Sequence, residues 1–218
     1  MGAHPIPHPA LRGTRPTTVR AYAFIDGMNL FNAAKRCFGY QFPNCDYARL
    51  VTAALNLEAG RQLDRAALYV GIPKLQDDAD KNGWWTRKLA SVGRTGVHVE
   101  RRYLKRRELT IKLDGIVHFE HTVPRLIEKG IDLKLGLDLV RYARANAYDV
   151  AIIFSQDGDL VEAVEEVHRI AAEQNRWIQV ECAYPFTPTG QCHPINRTVL
   201  RQITRTIYDA CIDPTDYR

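Results

Sequence analysis

Val150-Ala151-Ile152-Ile153-Phe154, followed at once by Ser155-Gln156-Asp157-Gly158-Asp159, decides how this chain folds. The apolar run is too short for a helix and is closed by turn-forming residues, so it predicts a strand buried on both faces. Beyond it Leu160, Val164, Val167 and Ile170 or Ala171 recur at helical spacing. Near the start of the chain the same order returns. Ala21-Tyr22-Ala23-Phe24-Ile25 ends at Asp26-Gly27, and Asn29 to Arg36 has helical composition. Further strands are expected at Ala66 to Gly71, from Val97-His98-Val99 into the residues that follow, and at Trp177 to Cys182.

Helices are expected between these strands. Asp46 to Leu57 carries Asp46 as N-cap, with Leu50, Ala54 and Leu57 on one face. In Asp80 to Val92 the inward candidates are Trp84, Leu89 and Val92. Asp132 to Ala145 reads as a helix capped by Asp132, with Leu133, Leu137, Val140 and Ala143 at the spacing of an inner face. Pro124 to Glu128 reads as a short helix and Ile195 to Tyr208 as the last one. Alternating strands and helices predict an α/β chain, with a mainly parallel sheet between two helical layers. One local addition is a β-hairpin near residues 110–119, where Thr110 to Leu113 and Ile116 to Phe119 flank the turn pair Asp114-Gly115.

The 218 residues are 45% hydrophobic and 25% charged, which excludes a disordered or collagen-like chain and leaves enough apolar surface for a real core. No repeat and no internal linker interrupts them. The expected organisation is a basic, Pro-rich lead-in at 1–20, one domain at 21–208 and a tail at 209–218. The lead-in lacks the apolar centre of a secretory signal. No apolar run approaches the ~20 residues of a bilayer span, so no membrane is expected. The five cysteines, Cys37, Cys45, Cys182, Cys192 and Cys211, are odd in number and widely spaced. That pattern argues against a disulfide scaffold or a zinc ribbon, and a reducing cytoplasm is the simplest setting.

Thirty Lys and Arg against twenty-five Asp and Glu leave a net charge of +5, a weak pointer to a polyanionic partner. Placement says more than the sum. Arg101, Arg102, Lys105, Arg106 and Arg107 put five cations into the eight positions from Glu100 to Arg107. Arg197, Arg201 and Arg205 recur every four residues and would share one face of the expected last helix. Either group suits a phosphate backbone, and either also suits a solvated edge.

The acids carry the chemistry. In an open parallel sheet, sites form beyond the carboxyl ends of the strands. Two strands end there in carboxylates, at Asp26 and at Asp157 with Asp159, and Asp132 stands at a helix start. Brought together, such groups raise one another's pKa unless a cation compensates. A hard divalent ion does so with oxygen ligands, and can activate water against a phosphodiester. Each acid has a plainer reading as well: Asp26-Gly27 as a turn, Asp159 with Glu162 as a capping pair, Asp132 as an N-cap. Asp138 lies about 240° around a regular helix from Asp132.

The residues themselves resemble a known family. Phe24-Ile25-Asp26-Gly27-Met28-Asn29-Leu30 looks like the opening motif of NYN domains, which belong to the PIN-like nuclease group. Glu128-Lys129-Gly130-Ile131-Asp132-Leu133-Lys134-Leu135-Gly136-Leu137-Asp138 looks like their middle motif, and Tyr148 to Leu160 like the third. The third motif is more often Ser-Gly-Asp-Ser-Asp-Phe, so Gln156 and Leu160 depart from it, and no carboxylate is lost. The likeness covers Ala21 to Cys182, and the branch most resembled is the bacterial LabA-like one.

The resemblance implies a PIN-like, Rossmannoid three-layer fold and an endoribonuclease that cuts single-stranded RNA with Mg²⁺ or Mn²⁺. It implies that Asp26, Asp132, Asp157 and Asp159 hold the metal or its waters. Asn29 would orient substrate or water, Asp138 would be a further acid, and Lys134 would contact phosphate or remain a surface lysine. Two other readings stay open. One is a non-catalytic RNA-binding or regulatory module on the same fold, and DNA cleavage and homo-oligomerisation are open with it. The other is a phosphatase with a carboxylate nucleophile. Its second acid would fall at position 28, which is Met28.

Overall fold

The computed structural model describes residues 13–113, 119–188 and 193–217. Its elements run β1 (Val19–Asp26), α1 (Gly27–Phe38), α2 (Tyr47–Leu55), β2 (Arg61–Ile72), α3 (Ala79–Arg94), β3 (His98–Tyr103), β4 (Lys105–Leu113) and β5 (Phe119–Ile127). They continue with α4 (Ile131–Arg144), β6 (Val150–Phe154), a 3-10 turn (Gly158–Leu160), α5 (Val161–Glu173), β7 (Gln179–Pro185), β8 (Val199–Ile203) and α6 (Arg205–Asp209).

Six strands form one parallel sheet in the order β3-β2-β1-β6-β7-β8. All five residues of β6 are buried, as the uninterrupted apolar run requires of a strand covered on both faces. Strand alternation sends Ala21, Ala23 and Ile25 into one core with α1, α2 and α3, and Phe24 into the other with α4 and α5. After β1 the chain builds outward through β2 and β3. It then returns to the opposite side of β1 to add β6, β7 and β8. The order therefore reverses between β1 and β6, which is where an open α/β sheet offers a crevice.

β4 and β5 pair antiparallel as a separate two-stranded arm. The expected hairpin is present, and its Asp114-Gly115 turn lies outside the described residues, as do most of the lead-in and Cys192. Val19 and Arg20, read as the end of the lead-in, begin β1. Residues expected to form a tail pack back onto the body. Lys88 on α3 bonds Asp213 at 2.5 Å and the Cys45 carbonyl at 2.9 Å, and Tyr217 is buried against Trp84.

Four expectations are corrected. Residues 124–127 continue β5 and are not helical, because a two-stranded ribbon has only free edges and tolerates Pro124. Asp132 is not the N-cap of α4. Gly130 takes that position at φ 78, so Asp132 falls in the first turn. The inward face of α4 is Ile131, Leu135, Leu139 and Ala143, while Leu133 and Leu137 are 63% and 54% exposed.

The expected last helix, Ile195 to Tyr208, is instead a loop, β8 and the short α6. Arg197, Arg201 and Arg205 consequently share no helical face. Arg197 sits in a loop with φ 60 and pairs with Glu165, and Arg205 pairs with Asp209. Arg201 lies on β8 and, with Arg61, holds the fully buried Glu181 at 2.7 and 2.5 Å. Removing a partner of a buried charge is costly, whereas an arginine on an exposed helix face changes stability by roughly 0.5 kcal/mol at most. Arg201→Ala is expected to cost roughly 3 kcal/mol in urea unfolding, the low end for a broken buried pair because Arg61 remains. A change within the surface range would contradict the strand placement.

Candidate active site

The parallel register of β1 with β6 sets Ile25 opposite Phe154, so Asp26 and Ser155 leave the sheet side by side. Asp26 is also the N-cap of α1: its Oδ1 accepts from the Asn29 N–H at 3.0 Å. Its Oδ2 accepts from Ser155 Oγ at 3.4 Å. Ser155 Oγ in turn accepts from the Asp157 N–H at 3.1 Å, and Asp157 Oδ1 from the Asp159 N–H at 3.0 Å. Asn29 Oδ1 accepts from the Gln156 N–H at 2.8 Å. The two strand-end motifs are thus stitched together atom by atom, and capping and site roles coincide in Asp26 and Asp157.

Electrostatics marks the same place. Asp26 is buried, and its pKa is pushed up to about 6. Burial is the main cause, the Asn29 N–H opposes it, and the neighbouring charges of Asp157 and Asp132 raise it further. A carboxylate that the sequence reading left without a role joins them. Glu128, at the end of β5, is pushed up to about 7 by burial of its carboxyl and by the charges of Asp26 and Asp132, against a stabilising Gly71 N–H. The residue as a whole is exposed, yet its carboxyl end is tucked onto β2. A Cβ at Gly71 would stand 2.8 Å from Glu128 Oε2 and 2.7 Å from Leu104, so a larger residue there would push both side-chain ends aside and move the Glu128 carboxyl.

The sequence signal for Glu128 was its place four residues before Asp132 in the middle motif. The helix expected at Pro124 to Glu128 hid the strand end that aims it at the rim.

Asp26, Asp132, Asp157 and Glu128 therefore share one electrostatic site, and Asp159 is bonded into it through its backbone N–H. Asp138 is not brought to these acids. It is buried on the inner side of α4, where it accepts from Tyr69 Oη at 3.0 Å, from Lys134 Nζ and from Arg141 at 3.4 Å. The angular offset from Asp132 is kept, and Tyr69 fixes it. Lys134 is engaged by the same carboxylate, with Glu100 at 3.9 Å. Among the described residues, no three Asp, Glu, His or Cys side chains converge as a ready-made metal cage. The donors that do face one another are all carboxylate oxygens. That chemistry fits a hard divalent ion held by one or two carboxylates and water, not a zinc-type centre.

Arg101, Arg102, Lys105, Arg106 and Arg107 are exposed along β3 and the root of the arm. Trp85 is buried in the core and Trp84, partly buried, packs against it.

A six-stranded parallel sheet with acids at its carboxyl rim, beside the reversal in strand order, is the architecture of a PIN-like nuclease domain. The sequence profile of the NYN domain matches residues 20–175, and the chain belongs to that family. No curated protein matches it. No helix among the described residues is long and apolar enough to cross a membrane.

Asn caps a helix as well as Asp does, so Asp26→Asn keeps the cap and removes the charge. The folded-state value, near 6, lies above the ordinary carboxylate value of 3.8. Ionised Asp26 therefore destabilises the fold, by nothing at about pH 4 and fully above about pH 6. In metal-free buffer the variant is expected to match the wild type at pH 4 and to exceed it by roughly 2–3 kcal/mol at pH 8. Identical stabilities at both pH values would contradict the raised pKa of Asp26.

Proposed function

We propose that the protein is a divalent-metal-dependent endoribonuclease acting on single-stranded RNA. The observation that carries the reading is the mutual crowding of Asp26, Asp157, Asp132 and Glu128 at the rim of a NYN-family sheet. Clustered negative charge facing a phosphate chain hinders a protein that only binds, and serves one that also binds a cation. Mg²⁺ or Mn²⁺, when bound, would supply activation of water and neutralisation of charge on the phosphate.

The chain's own residues have separate tasks. Asp26, Asp132, Asp157 and Asp159 would hold the ion directly or through its waters. Ser155 and the Asn29 N–H fix the Asp26 carboxylate, so its direction does not change when a substrate arrives. With its oxygen taken by Gln156, Asn29 keeps its amide NH₂ as a donor toward a phosphate oxygen or water. Arg101, Arg102, Lys105, Arg106 and Arg107 would hold the backbone beside the site. Lys134 and Asp138, bonded to each other, would support α4 beneath Asp132.

A labelled single-stranded RNA incubated with the protein and Mn²⁺ or Mg²⁺ tests this. Cleavage is expected, and EDTA should stop it. Asp157→Asn should lower the rate on the order of 10²–10³-fold, with an unchanged far-UV spectrum because Asn keeps the cap on the 3-10 turn. Cleavage by that variant at the wild-type rate would contradict the site. Tight, salt-sensitive RNA binding without turnover in either metal would favour the binding-module reading instead.

A further inference from the structure

We propose that Arg107 and Arg125 form a phosphate-binding pair on the β4–β5 arm, anchoring the nucleic-acid backbone next to the acid rim. The inference rests on the nuclease reading for the nature of the anion, and on the arm's geometry for the site itself.

Arg107 lies directly opposite Arg125 in the antiparallel register. Such partners point to the same face with Cα atoms about 4.5–5.5 Å apart, and like charges so placed destabilise a ribbon. Among the described residues nothing nearby cancels the repulsion. Both residues are exposed, and neither has an ion-pair partner among the described residues. Glu108, next along β4, alternates to the other face. Glu128 is turned onto Gly71. Lys105, two residues before Arg107, falls on the same face and adds a third cation, with Ile127 across from it. A cross-strand pair of cations that the described residues leave unneutralised calls for an anion from outside. Two guanidinium forks side by side suit the several acceptor oxygens of a phosphate.

The place of the pair ties it to the acids. Both legs of the arm are fixed to the end of β2. The Leu104 N–H donates to the Ile72 carbonyl at 2.9 Å on one leg, and Glu128 sits on Gly71 on the other. β2 is the strand beside β1, with Tyr69 paired to Asp26. Arg125 precedes Glu128 by three residues, about 10 Å at the rise of a strand. At about 3.4 Å per stacked nucleotide, a chain held on the pair reaches the acids within a few nucleotides. Tyr103, 52% exposed at the foot of the arm, offers a base a ring to stack on. Contacts of this kind position a backbone and carry no sequence preference.

The test is a salt titration of binding to a fluorescent single-stranded oligoribonucleotide, followed by anisotropy in EDTA so that cleavage plays no part. Arg107→Ala/Arg125→Ala should weaken binding at least tenfold at low salt. It should also flatten the slope of log K against log salt by about 1.4, that is 0.7 for each lost phosphate contact. Its melting temperature should not fall, because the substitutions relieve repulsion. Arg107→Lys/Arg125→Lys should keep the slope. Wild-type affinity and slope in the folded alanine variant would overturn the proposal, as would a wild-type protein that does not bind the oligonucleotide. Pair-dependent binding with no cleavage in any metal would sink the nuclease reading and leave the anchor standing.

Discussion

The register of β1 against β6 is the constraint on which the site depends. Ile25 opposite Phe154 makes the two strands end level, so the residue after each apolar run emerges at one rim. A shift by one residue would turn every side chain of β1 to the other face, forcing Phe24 into the core that holds Ala21, Ala23 and Ile25 and leaving both cores misfitted. The core thus enforces the meeting of Asp26 with Ser155 and Asp157. Loops then tune it through short bonds whose donors are mostly backbone N–H groups.

That meeting has an energetic cost, which the structure localises. Two of the carboxylates at the rim, Asp26 and Glu128, are shifted upward, and each feels Asp26 or its neighbours. The cost is borne where the α1 cap fixes Asp26 and the Gly71 N–H draws the Glu128 carboxyl out of water. The opposite charge lies along β3 and the arm, and among the described residues it forms no salt bridge with these acids. Elsewhere charges are paired off: Glu181 with Arg61 and Arg201, Asp149 with Arg20, Asp213 with Lys88. Among the described residues, acids at the rim and cations on the arm that lack ion-pair partners stand out against that background.

Much of this was legible in the sequence because it rests on short-range signals. Buried strands announce themselves as apolar runs, and Asp26 and Asp157 stand at their ends where turns begin. Where two periodicities coincide, the reading went astray. Ile195, Val199, Ile203 and Ile207 recur every four residues, which fits a helix, but four is also twice the strand period. Arg201 seeking Glu181 decided for the strand, a long-range contact that no local pattern records. On α4 the leucines at 133 and 137 suggested the inner face. The buried bonds of Asp138 to Tyr69 and Lys134 turn the helix instead, leaving those leucines outside. Glu128 was hidden for a related reason: its approach to Asp26 passes through Gly71 on a strand more than fifty residues earlier.

Coupling among these acids makes the titration of each depend on the others. Titration of the Asp26 side-chain carboxyl carbon by NMR, in metal-free buffer, tests it directly. An apparent pKa near 6 is expected, falling toward the ordinary carboxylate range when Asp157 is replaced by Asn. An Asp26 that titrates like a free aspartate, or one whose midpoint ignores Asp157, would contradict it.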